Sequence, residues 1–251
     1  MTNKIAIITG GSRGLGRNTV LSLAKRGVSS IFTYHSNEAE AGNVVAAAGE
    51  LGAKAVALQL DAGDIGAFDA FAGEVRKALA DWDAKGFDYL VNNAGTALHK
   101  PILETTEEEF DKLCNVHFKG VFFLTQKLVP LMNDGGRIVN ISSGLARFSL
   151  PGSSAYASMK GAVEVFTRYL AKELGARGIA ANTVAPGAIA TDFSGGMVRD
   201  NPEISKRVAD MTALGRVGLP DDIGPMIASL LSEENRWING QRIEVSGGMN
   251  L

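Results

Sequence analysis

The chain has 251 residues, a formal charge of −2 and 45% hydrophobic against 21% charged residues, which excludes a disordered chain. With 25 basic and 27 acidic residues and no basic patch, nucleic acid is not an expected partner. The lone Cys114 excludes intrachain disulfides and cysteine-rich zinc modules, and His35, His99 and His117 lack close ligand spacing, so no metal is expected. No apolar run approaches the length of a membrane span, and no charged segment leads into a secretory apolar stretch. The expectation is a cytoplasmic enzyme or binding protein without membrane partners.

Taken in chain order, β-branched apolar runs alternate with helical patterns. Strands are predicted at Lys4–Thr9, Ser30–Tyr34, Ala53–Leu60, Phe87–Val91, Gly136–Ile141, Ile179–Val184 and Arg242–Val245. Most are continuously apolar, as strands covered on both faces require. Helices are predicted at Leu15–Lys25, Ala39–Leu51, Ile65–Ala80, Thr106–Leu131, Tyr156–Ala176 and Asp221–Leu231. Phe110, Leu113, Val121, Leu124 and Leu128 mark the inward stripe of the fourth. The alternation predicts a single α/β domain over 1–251, a doubly wound parallel sheet of about seven strands with helices on both faces. Residues 188–214 fit no strand and carry Gly195-Gly196 and Asn201-Pro202. They are read as a functional lid with short helical pieces, set where α/β sheets bind ligands.

The first strand runs into Thr9-Gly10-Gly11-Ser12-Arg13-Gly14-Leu15-Gly16 and then a helix. A helix start offers unpaired N–H groups and the positive dipole end to a pyrophosphate, and glycines admit it closely. The same residues match G-x-S-x-G, the elbow of a hydrolase nucleophile. That reading needs a histidine after the acid, and none follows His117.

Tyr156 and Lys160 stand four apart on one helix face. A free phenol, with a pKa of about 10, is a poor acid or base near neutrality. A neighbouring ammonium favours the phenolate and is expected to tune Tyr156 for proton exchange with a carbonyl or alcohol.

These motifs, in this order and across nearly the whole chain, resemble the short-chain dehydrogenase/reductases of roughly 250 residues. The resemblance rests on Thr9–Gly16, Asn92–Gly95, Asn115, Ile141–Ser143, Tyr156 with Lys160, Pro186-Gly187 with Thr191, and Gly240–Gly248. It implies a Rossmann-fold oxidoreductase with Tyr156 as acid/base, Lys160 on the nicotinamide ribose, and Ser143 rather than Ser142 on the substrate carbonyl. It also implies Asn115 as anchor of a proton-relay water. For the cofactor it implies Gly10, Ser12, Gly14, Leu15 and Gly16 at the pyrophosphate, Asn93, Ala94 and Gly95 along the adenosine ribose, and Asp61 at adenine. Pro186, Gly187, Ile189 and Thr191 would hold the carboxamide. Assembly would be a homotetramer through the helices at 106–131 and 156–176.

No acid ends the second strand, where Tyr34, His35, Ser36 and Asn37 stand before Glu38. Arg13, Ser36 and Asn37 are expected to favour a 2′-phosphate, hence NADP(H), with NAD(H) through Glu38 as the alternative. Leu145, Phe148, Leu150, Phe193, Met197 and Met211, with Arg147 the polar exception and His99 nearby, are expected to line the substrate site. The preferred substrate is a 3-oxoacyl or related keto compound. A sugar or polyol dehydrogenase using NAD, or a non-catalytic dinucleotide sensor, are the alternatives.

Overall fold

The computed structural model describes residues 4–251. Seven strands form one parallel sheet: β1 (Ile5–Ile8), β2 (Ser29–Tyr34), β3 (Ala55–Gln59), β4 (Phe87–Asn92), β5 (Met132–Ile141), β6 (Ala180–Pro186) and β7 (Arg242–Val245). Their order is β3-β2-β1-β4-β5-β6-β7. The chain builds outward from β1 to β3, then returns to lay β4 against β1, with Ile7 paired to both Ile31 and Leu90. That reversal opens a crevice beyond the carboxyl ends of β1 and β4, the place where such sheets bind ligands.

The helices follow the predicted order: α1 (Gly14–Ala24), α2 (Glu38–Glu50), α3 (Phe68–Asp81), α4 (Glu107–Cys114), α5 (Gly120–Leu128), α6 (Ser154–Glu173), α7 (Met197–Asp200), α8 (Pro202–Asp210) and α9 (Pro220–Leu230). One core, with Ile8, Val20, Phe32, Val44, Val91 and Ile227, lies on the α1, α2 and α9 side of the sheet. The other, with Ile7, Phe68, Val75, Leu90, Leu128 and Ile138, lies beneath α3, α5 and α6. Two buried faces explain the unbroken apolar strands.

The long helix predicted over Thr106–Leu131 is interrupted. A π-helical turn spans Asn115–Lys119 between α4 and α5, closed by the Gly120 N–H donating to the Asn115 carbonyl. Gly120 is required where it stands, because a Cβ there would lie 2.1 Å from the Ala62 carbonyl oxygen. The segment after β6 makes an isolated bridge from Ile189 to Gly218, then a tight turn through Phe193–Gly196, then α7 and α8. Ser194, Gly195 and Gly196 all have positive φ, which accounts for the glycine pair.

Candidate active site

The turn after β1 is built for close approach. Gly10 and Gly14 take positive φ. A Cβ on Gly16 would sit 2.0 Å from the Gly10 carbonyl oxygen, so only glycine lets α1 start this close to the strand. Thr9 Oγ1 accepts from the backbone N–H groups of Asn93 and Ala94, both at 2.9 Å, and Asn93 Nδ2 donates to the carbonyls of Thr9 and Gly10. Asn93 and Ala94 therefore brace the glycine turn, and Gly95 follows them against His117. Below them Asn92 Nδ2 donates to Thr125 Oγ1 and Asn140 Oδ1, and Asn140 donates to Thr167. This buried polar chain ties β4 and β5 to α5 and α6.

Across the crevice stand Pro186, which ends β6, then Gly187 and Ile189. Thr191 comes within 3.7 Å of where a Gly14 Cβ would lie. The N-terminus of α1 and the space kept by Gly14 and Gly16 fit a dinucleotide pyrophosphate. Ser12 is buried and Leu15 is packed on the core. Arg13 is exposed, in extended conformation just before α1. Past β2, Tyr34 is partly buried and Ser36 is exposed. The Asn37 side-chain oxygen Oδ1 caps α2 by accepting from the Glu40 N–H, and its Nδ2 has no partner among the described residues. Glu38 falls in the first turn of α2 and not at the strand end. Asp61, beyond β3, accepts from the Gly63 N–H at 2.8 Å.

Tyr156, Lys160 and Ser143 come together at the carboxyl end of β5. Ser143 stands close enough to Tyr156 for its hydroxyl to act on the phenol and favour the ionised form. Lys160, 4% exposed, donates to the Ile141 carbonyl at 2.8 Å, with its Nζ 5.6 Å from the Tyr156 ring centre. Ser142 is turned away: its hydroxyl donates to Glu164 Oε1 at 2.6 Å. Adjacent residues in extended backbone just past β5 point to opposite sides, so only one of the two serines reaches the site.

The electrostatics correct one expectation. Burial, and not the ammonium, dominates Tyr156 and pushes its phenol upward, with Ser143 opposing. Burial also lowers Lys160 to about 7. The phenol is therefore held protonated, ready to donate.

Asn115 is not brought to this group. It lies against Gly63 beyond β3 and faces a surface recess with Thr106, Asp111 and Lys112. Two residues on, about 200° around a helix, His117 is wholly buried. Its ring meets Tyr156 edge-on, centroids 5.1 Å apart. Position 117 stands four residues from both Leu113 and Val121, but the π-helical turn between them breaks the α-helical register, so spacing alone does not single it out.

Arg147 is not available to a substrate either. It forms a two-pronged pair with Glu244, at 2.7 and 2.8 Å, and donates to the carbonyls of Met249 and Asn250. Phe193 lies 6.1 Å from the Tyr156 ring, and Met197, Met211 and Leu150 are exposed. His99 reaches Ser194 at 3.4 Å, linking the loop after β4 to the lid turn. Leu145 and Phe148, on the segment after Ser143, are partly buried.

The profile of the family described as enoyl-(acyl carrier protein) reductase matches residues 10–250. The hydroxynaphthalene reductase-like protein Arp2 of Metarhizium brunneum is 36% identical over 259 residues, covering 99% of this chain and 95% of the relative. The solved structure of LugOII, a promiscuous reductase of keto-reduction at C1 in lugdunomycin biosynthesis, has a TM-score of 0.94 and 38% identity, covering 100% and 99% of the two chains. The angucycline C-6 ketoreductase LanV, solved with bound NADP, has a TM-score of 0.93 and 34% identity, covering 98% and 95%. With the glycine turn, the tyrosine–lysine pair and the serine in one crevice, the chain belongs to the short-chain dehydrogenase/reductase family and is an oxidoreductase.

Proposed function

We propose that this protein is an NADPH-dependent ketoreductase acting on a ketone fused to, or carried by, an aromatic ring system. The observation that carries the reading is Phe193 beside the catalytic phenol, 6.1 Å between ring centres, in a rim of exposed apolar side chains. A flat aromatic substrate stacks there, whereas a polyol would need converging polar groups. With Arg147 paired to Glu244, the rim has even less polar character than the sequence implied. The names of Arp2, a hydroxynaphthalene reductase-like protein, and of LugOII and LanV, which act on ketones, support a keto substrate of this kind, and the NADP bound to LanV supports the cofactor.

Bound in the crevice, a nicotinamide dinucleotide supplies the hydride. Ser143 and Tyr156 hold the carbonyl oxygen between their hydroxyls. Tyr156 gives its proton to that oxygen, and Lys160, protonated, stabilises the phenolate left behind. Arg13, Ser36 and the Asn37 amide are the donors that favour a 2′-phosphate. Exposed Phe110, Val165 and Tyr169 on α4 and α6 support a tetramer built through those helices, which light scattering would check.

The test is NADPH oxidation followed with bicyclic aromatic ketones, hydroxylated naphthalenes, 3-oxoacyl thioesters and, with NAD, polyols. Turnover is expected with the fused-ring ketones. Arg13→Ala should weaken NADPH binding about tenfold and leave NADH unchanged, the effect of losing one charged phosphate contact. Activity confined to polyols with NAD would overturn the proposal.

A further inference from the structure

His117 is the buried titratable group that the reaction above leaves unused. Its ring is fully enclosed, edge-on to Tyr156 at 5.1 Å. Nε2 lies 2.7 Å from the Thr96 carbonyl oxygen and 3.1 Å from the Thr96 backbone nitrogen; a ring proton on Nε2 suits the shorter contact, where two bare acceptors would repel, and leaves the lone pair on Nδ1. Nδ1 has no hydrogen-bond partner. Gly95 makes room for the ring, since a Cβ there would lie 2.8 Å from His117 Cε1. The titratable groups facing the imidazole, Tyr156 and Lys160, both come from α6, while the β4 side presents the backbone of Gly95 and Thr96.

We propose that His117 is a positioning residue of the reductase site: its neutral imidazole ties the Gly95–Thr96 turn to the Tyr156 ring and holds an acceptor inside the enclosure that Tyr156 and Lys160 share. The assignment rests on the ketoreductase reading. Three observations meet in it. The π-helical turn at Asn115–Lys119 carries His117 inward. The short contact to the Thr96 carbonyl favours the Nε2–H tautomer. Lys160, bonded to the Ile141 carbonyl, keeps two further N–H donors for acceptors around it. A charged imidazole would set a second cation against Lys160 and remove the acceptor. Burial and the Lys160 charge prevent this, holding His117 down to about 3.

Two variants and one spectrum decide the matter. His117→Phe fills the ring space with neither donor nor acceptor, whereas His117→Asn keeps both. With NADPH and a bicyclic aromatic ketone, His117→Phe should lower kcat by about tenfold or more and move the alkaline limb of kcat/KM to lower pH, as the ammonium loses an acceptor. His117→Asn should recover kcat to within about threefold, with the limb at its wild-type position. A purely space-filling role gives the reverse order, phenylalanine at least as active as asparagine and the limb unmoved, and overturns the proposal. In [15N]histidine-labelled wild-type protein with NADPH, the His117 signal, identified by its loss in His117→Asn, should be a neutral Nε2–H imidazole from about pH 5 to 8. A charged ring or an Nδ1–H tautomer in that range overturns it even if His117→Phe fails to fold. The spectrum needs no substrate, so absence of ketone turnover would defeat the functional reading and leave His117 to be judged separately.

Discussion

The two ends of the crevice are held by different means. At the cofactor end, Thr9, Gly10, Asn93 and Ala94 are joined by backbone-directed hydrogen bonds near 3 Å, and glycines stand where a Cβ would collide. At the substrate end, Phe193, Met197 and Met211 are exposed on a turn with three successive positive-φ residues, joined to the loop after β4 by His99 and Ser194. The first region is over-determined by the backbone. The second is a set of apolar surfaces on turns and short helices. Substitution at the cofactor end should act as an on–off switch, and at the substrate end as a graded dial.

Tyr156→Phe, where the two ends meet, should have the largest effect. It removes the phenolic proton beside Ser143 and should lower kcat by about 10³ or more, with NADPH binding by fluorescence unchanged. Near-normal turnover would refute the assigned acid.

Gly16→Ala forces a methyl into the Gly10 carbonyl and must push α1 off the strand. At a cost of about 1–3 kcal/mol it should weaken NADPH binding by roughly tenfold to a hundredfold, measured calorimetrically. Unchanged affinity would show that the cofactor end is as forgiving as the lid.

Phe193→Ala should raise the KM for a bicyclic ketone about threefold to tenfold through a lost ring contact of about 0.5–1.5 kcal/mol, with kcat changed less. A kcat loss equal to that of Tyr156→Phe would make Phe193 part of the machinery rather than a platform.

Arg147→Met should leave kcat within about twofold, because the guanidinium is committed to Glu244 and the C-terminal carbonyls. Its effect should appear in stability against pH. The Arg147 guanidinium, first among the causes, holds Glu244 at about 2, below its ordinary 4.5. A depressed carboxylate contributes stability above its unfolded value, and that contribution is lost as pH falls towards the folded one. Thermal melts between pH 5 and 2, a window set by those two values, should show a smaller acid-dependent loss in the variant. A large kcat loss would instead return Arg147 to the substrate.

What is written locally in this sequence emerged from it. Unbroken β-branched runs, the glycine turn and the four-residue step from Tyr156 to Lys160 each follow from spacing along one element. The seven strands were legible for that reason, whereas Ser143 rather than Ser142 was expected only from the resemblance to the family. The identity of the residue behind Tyr156 was not legible. One extra residue in the turn at Asn115–Lys119 changes which side chain points inward, and it depends on Gly120 meeting Ala62, nearly sixty residues away. The commitment of Arg147 to Glu244, 97 residues on, and the burial that raises the Tyr156 phenol, are likewise long-range. Periodicity and motif are properties of neighbouring residues, so the chain determined its own elements and its reacting groups. Which charges are paired, which are desolvated and which face of the π-turned helix meets the phenol depend on contacts between distant segments, and only the tertiary structure decides them.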